Sequence, residues 1–165
     1  MNINAQFQRS ARRVGILVAV LALAGLVLAG CGGGTTETTQ PEAGEFSLTG
    51  VVWQWQEITI VGQDTQTVPN PASYTITFNE DGTLGGMNDC NSYTGSYTTE
   101  DGGIQIQLGA TTAAACGEES MDILFSQSLA MIVAGGPDGT GNLALESAGA
   151  ERRMIFSNGG PAPAQ

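Results

Sequence analysis

The chain has no histidine and no lysine. That excludes Ser-His-Asp and Cys-His activation of a nucleophile, Ser-Lys dyads and Schiff-base chemistry. It also excludes every zinc site built with imidazole. Basic charge of any kind is scarce. All five basic residues are arginines, and Arg9, Arg12 and Arg13 lie near the start. Beyond them only Arg152 and Arg153 stand against sixteen Asp and Glu. No basic face is available for phosphate contacts, so nucleic acid is excluded as a partner. Electrostatic adhesion to anionic lipid is excluded for the same reason. An acidic, solvated surface that keeps the protein soluble accounts for the charge without a cationic partner.

The one long apolar run extends from Val14 to Ala29, directly after the three arginines. It ends in Leu28-Ala29-Gly30-Cys31. A basic n-region, an apolar h-region and small residues at a cleavage point describe a signal peptide. The cysteine after Leu-Ala-Gly resembles a bacterial lipobox. The expectation is cleavage before Cys31 and a diacylglycerol on its sulfur. Residues 1–30 are then the signal peptide, and acyl chains on Cys31 tie the protein to the membrane. An uncleaved spanning helix is the alternative, since the run approaches spanning length. Gly32 follows the cysteine rather than an Asp, which leaves the leaflet open. The expected location is the cell envelope, on the extracytoplasmic side.

Residues 31–45 hold no large apolar side chain and cannot build a core. They read as a flexible tether of about 20 Å root-mean-square span. Asn158-Gly159-Gly160-Pro161-Ala162-Pro163 opens a terminal stretch, 158–165, of similar composition, expected to be a disordered tail. The folded domain is expected over 46–157.

Within that span period two dominates. Val51, Trp53 and Trp55 alternate with polar neighbours, and Ile58 and Ile60 follow in the opposite phase. A bulge near Glu57 explains the switch. Tyr74/Ile76/Phe78, Ile104/Ile106/Leu108, Leu143/Leu145 and Met154/Phe156 alternate in the same way. Asp81-Gly82, Asp101-Gly102 and Asp138-Gly139 supply turns, because Asp tolerates the conformation and Gly adopts positive φ freely. These patterns predict an antiparallel meander. None of the turns has the Asp-x-Asp-x-Asp-Gly spacing of a calcium loop, and no metal or other cofactor is expected. One segment departs from period two. Met121, Leu124, Phe125, Leu129 and Ile132 recur at helical spacing, with Glu118, Glu119 and Asp122 at the start and Gly135-Gly136-Pro137 beyond the end. This predicts one helix packed on the sheet.

Besides Cys31 the chain carries Cys90 and Cys116, an even pair in an exported domain. A disulfide is expected rather than two free thiols. Closing that loop stabilises by roughly 3–4 kcal/mol in the chain-entropy account. There is no Cys-x-x-Cys motif and no basic neighbour to lower a thiol pKa, so redox catalysis is not indicated.

The ordered set Phe78, Gly82, Cys90, Asn91, Gly95, Tyr97 and Cys116 resembles the META/HslJ domain of bacterial envelope lipoproteins. Cys-Asn-x-x-x-Gly-x-Tyr followed by Thr-x-x-x-Cys carries most of the likeness. Asp89 departs from the small residue usual before Cys-Asn, and the residues between Thr112 and Cys116 lack the usual basic or Met side chains. The resemblance implies an α+β, β-rich fold: an antiparallel meander forming a half-open barrel closed by one helix. It also implies a link to heat shock or drug tolerance, and no catalytic machinery. Gly82, Asn91 and Gly95 are then turn and bulge residues required by backbone geometry.

Three functions compete. The first is a non-enzymatic, lipid-anchored stress-response or binding module, monomeric, with an envelope protein or ligand as its partner. The second is a carrier of a small apolar ligand or lipid, its barrel mouth lined by Trp53, Trp55 and Tyr93. The third is a carboxylate-dependent hydrolase, for which Glu57, Asp64, Asp89, Glu146 and Glu151 are the acidic residues to examine.

Overall fold

The computed structural model describes residues 46–100 and 102–163. Residues 1–45, where the signal peptide, the lipidated Cys31 and the tether are expected, lie outside the described residues. The elements, in chain order, are β1 (Val51–Ile60), β2 (Gln66–Thr67), β3 (Thr75–Phe78), β4 (Thr83–Asn88), β5 (Asn91–Thr98), β6 (Gln105–Thr111), α1 (Asp122–Leu129), β7 (Ile132–Pro137), β8 (Leu143–Ser147) and β9 (Arg152–Pro161). All strand pairs are antiparallel, in the order β6-β5-β4-β3-β1-β9-β8-β7, with β2 hung on β1. The sheet curls into a half-barrel. Its two edge strands meet where the Ile104 N–H donates to the Val133 carbonyl at 3.2 Å.

The alternating residues face inward as expected. Trp53, Trp55, Ile58, Ile76, Phe78, Leu143, Leu145, Met154 and Phe156 are buried. The phase change in β1 is a bulge: pairing with β9 slips one residue between Trp55 and Glu57. This keeps both Trp55 and Ile58 on the core side.

The helix fills the hollow of the half-barrel. Phe125 is fully buried, with ring centroids 5.2 Å from Trp55, 5.7 Å from Tyr74, 6.0 Å from Tyr93 and 6.4 Å from Phe156. Arg152 donates from Nη1 to the buried Ser128 hydroxyl in the last turn of α1, where a cation suits the helix dipole.

Two boundaries differ from those read along the sequence. The helical stripe stops at Leu129, and Ile132 opens β7 instead of continuing the helix. The β-branched pair Ile132-Val133 suits a strand. Gly135-Gly136-Pro137 therefore lies inside β7 and terminates no helix. Gly135 is there for space: a Cβ would sit 2.6 Å from Leu145 Cδ2 and 2.8 Å from Ile104 Cγ2, where the two edges converge. Residues 158–161, read as tail, belong to β9. Asn158 pairs with Trp53, Pro161 pairs with Val51, and the Ala162 N–H donates to Gly50. Composition points to disorder there, but the start of β1 presents a strand edge that this segment covers.

Candidate functional site

Strands β4 and β5 are joined by a two-residue turn, Asp89-Cys90, since Asn88 pairs with Asn91. Asp89 takes φ 56°, a conformation that Asp tolerates better than most residues. Cys90 is bonded to Cys116, with Cα atoms 5.7 Å apart. Cys116 lies in the connection between β6 and α1, six residues before the helix begins. The bridge thus joins a hairpin turn to a loop.

Asn91, buried beside the bridge, holds the same loop with its amide. Its Nδ2 donates to the Ala114 carbonyl at 3.0 Å. Its Oδ1 accepts from the Ala114 N–H at 2.8 Å and from the Thr112 hydroxyl at 3.0 Å. The side chain imitates a strand residue pairing with Ala114. Asn91 therefore matters for its hydrogen-bonding groups, not for an unusual backbone angle. Gly82 does adopt positive φ, 82°. Gly95 is a matter of close approach, because a Cβ there would lie 2.4 Å from the Gln107 carbonyl oxygen. Phe78 and Tyr97 pack edge to face, 4.9 Å between centroids, and the Tyr97 hydroxyl donates to the Asn79 carbonyl at 2.8 Å. Partial burial, with Asp81 and Glu80 nearby, raises the pKa of that phenol.

Loop and helix enclose a groove of about 520 Å³. Ala113, Ala114 and Ala115 form one wall, and Asp122, Ile123 and Gln127 on α1 line the other side. Asn88 and Ser126 also line it. The Ser126 hydroxyl donates its only proton to the Asp122 carbonyl at 2.9 Å, so it can only accept from Asn88 Nδ2, at 2.8 Å. This orients the amide and leaves Asn88 Oδ1 buried without a partner among the described residues.

The META domain matches residues 47–158. The chain belongs to the META-domain family. Two solved structures share its fold. One is an NMR structure of a protein from Burkholderia xenovorans, 21% identical, with a TM-score of 0.55 over 67% of this chain and 83% of that one. The other is a crystal structure of a DUF4847-family protein from Bacteroides vulgatus, 16% identical, with a TM-score of 0.52 over 67% of this chain and 93% of that one. No functionally curated protein matches the chain.

Several sequence-level candidates of this META domain lie apart. Trp53, Trp55 and Tyr93 do not line a mouth; they are core residues at 1%, 0% and 5% exposure. Phe125 occupies the space a carried ligand would need. The polar ends of the three aromatics are satisfied internally, by the carbonyls of Leu48, Glu57 and Thr75. Burial pushes the Tyr93 phenol far up in pKa. Among the five carboxylates, Glu57 is in β1, Asp64 in the exposed loop after it, and Asp89 in the β4–β5 turn. Glu146 pairs with Arg153. Glu151 lines a depression of about 470 Å³ beside Met131 and Val133, with no second carboxylate among the described residues on its wall. Among the described residues no cluster of three His, Cys, Asp or Glu could hold a metal, and no helix is long and apolar enough to cross a membrane. Sequence reasoning missed the groove and Asn88. The only signal was position, Asn88 and Asn91 flanking the turn that carries Cys90.

Proposed function

We propose that this META-domain protein is a lipid-anchored, non-enzymatic binding module of the cell envelope, serving a stress response. Leu28-Ala29-Gly30-Cys31, after a basic and then an apolar segment, carries the anchoring. Acyl chains on Cys31 hold the domain on the extracytoplasmic side, with the residues after it as a tether. The monomeric domain works by recognition. With no histidine or lysine, proton transfer near neutral pH would fall to carboxylates, and the five candidates do not share a cleft. The filled half-barrel weighs against the carrier reading. The test is metabolic labelling with a fatty-acid analogue. Wild type should carry the label and Cys31→Ser should not. An unlabelled wild type removes the anchor from this reading.

A further inference from the structure

We propose that the groove between the β6–α1 loop and helix α1 binds an extended, basic polypeptide segment by strand addition. The inference rests on the binding-module reading and gives it a site and a ligand class.

The loop wall is prepared for backbone pairing. The Thr112 N–H is spent on Ser92 and the Ala114 N–H on Asn91, while Ala114 also gives its carbonyl to Asn91. The N–H and C=O groups of Ala113 and Ala115, between and beyond those fixed points, have no partner among the described residues. Ala113 and Ala115, flanking the Asn91-bound Ala114, thus present free backbone groups just beyond the end of β6, which an extended peptide can pair with. Alanine side chains leave room for a close approach. The wall is held rigid by Asn91 and by the Cys90–Cys116 bond, so docking need not order it first.

The other side of the groove sets the chemistry. Ile123 is 68% exposed, apolar surface at the position where the peptide's side chain would rest. Asp122 is the one ionisable group among the described residues lining the groove, and no arginine joins it. Glu118 and Glu119, outside the lining, are exposed in the same connection between β6 and α1 and add to the negative charge near it. An acidic peptide is repelled here, whereas a lysine- or arginine-bearing one is attracted. Asn88, 96% buried, also lines the groove, and its Oδ1 is an acceptor without a partner among the described residues.

The experiment is fluorescence anisotropy of the purified full-length chain with labelled, acetylated and amidated peptides that alternate valine or threonine with lysine. A second set carries N-methyl groups at every other backbone nitrogen, and a third replaces lysine with glutamate. Binding should saturate, fall at least tenfold on backbone methylation, and vanish with glutamate. Ile123→Arg, at an exposed position that does not threaten the fold, should weaken binding at least tenfold, and Asp122→Asn several-fold. Equal binding of the methylated set, which carries the same charge, would mean general attraction to an acidic protein and overturns the proposal. Unchanged affinity in Ile123→Arg also overturns it, placing recognition on another surface while leaving the binding-module reading intact. No binding by any set overturns it as well, and the acylation result at Cys31 stands independently.

Discussion

Asn91 and Ala114 exchange two hydrogen bonds, side-chain amide to backbone, 2.8 and 3.0 Å long. One side chain thereby fastens the loop that the Cys90–Cys116 bond fastens covalently a residue away. Asn91→Ala strands the buried edge of this contact and should cost about 1–3 kcal/mol. Asn91→Asp keeps the acceptor but loses the donor to Ala114, and should also be destabilised. Chemical denaturation of both variants, with and without reductant, checks this. If the two fastenings support one loop, the Asn91→Ala loss should grow when the disulfide is reduced.

Phe125 is the plug of the half-barrel. Its ring meets four other aromatic rings and is fully buried. Phe125→Ala should cost about 3–5 kcal/mol through lost transfer energy and an unfilled cavity. Phe125→Leu should cost less. Thermal or urea unfolding measures both. A loss under about 1 kcal/mol for the alanine variant would mean that the helix does not complete the core.

Gly86 separates a steric requirement from a merely permissive glycine. A Cβ at Gly86 would lie 2.0 Å from the Thr75 carbonyl oxygen, in backbone that cannot move aside alone. Gly86→Ala should destabilise by about 1–3 kcal/mol or prevent folding. Gly117→Ala has open space around the added methyl and should be neutral or gain up to about 1 kcal/mol. Comparing the two by calorimetry isolates the clash from the general entropy of replacing glycine.

Asp138 organises the β7–β8 turn. Its carboxylate accepts from the backbone N–H and hydroxyl of Thr140 and from the backbone and amide of Asn142. The Thr140 N–H contributes most, and the carboxyl is pulled down to about 2 from an ordinary 3.8. The folded value lies below the unfolded one. The contribution to stability is therefore complete above the ordinary carboxylate pKa and is lost as pH falls from 3.8 toward 2. Carboxyl-carbon NMR titration should place the Asp138 midpoint near 2. Thr140→Val, which keeps the backbone donor, should raise it only part of the way back.

The strands, the Asp81-Gly82 and Asp138-Gly139 turns and the bulge in β1 were legible along the chain because each rests on local chemistry. Alternation places Trp53 and Trp55 on one face whatever they meet there, and the shift to Ile58 demands an extra residue. The cystine was legible for a similar reason, since two cysteines remain in the domain once Cys31 is set aside. The proposed cleavage before Cys31 and its acylation rest on the neighbouring residues alone and lie outside the described residues.

Other features depended on what lies across space. Ile132 could extend a helix or begin a strand, and the approach of the two sheet edges at Ile104 and Val133 decided for the strand. Asn158 to Pro161 has the composition of a tail, yet it pairs with the free start of β1. Trp53, Trp55 and Tyr93 could line a mouth or fill a core; Phe125, contributed by a distant helix, made them core. Asn91 could serve by backbone angle or by side chain, and only the position of Ala114, 23 residues on, showed the side chain at work. The amino-acid sequence determined the strands, turns and charge of this protein through short-range sterics and solvation. Packing between residues far apart along the chain decided where its helix ends, why its hollow is filled, and where a groove opens between the β6–α1 loop and the helix.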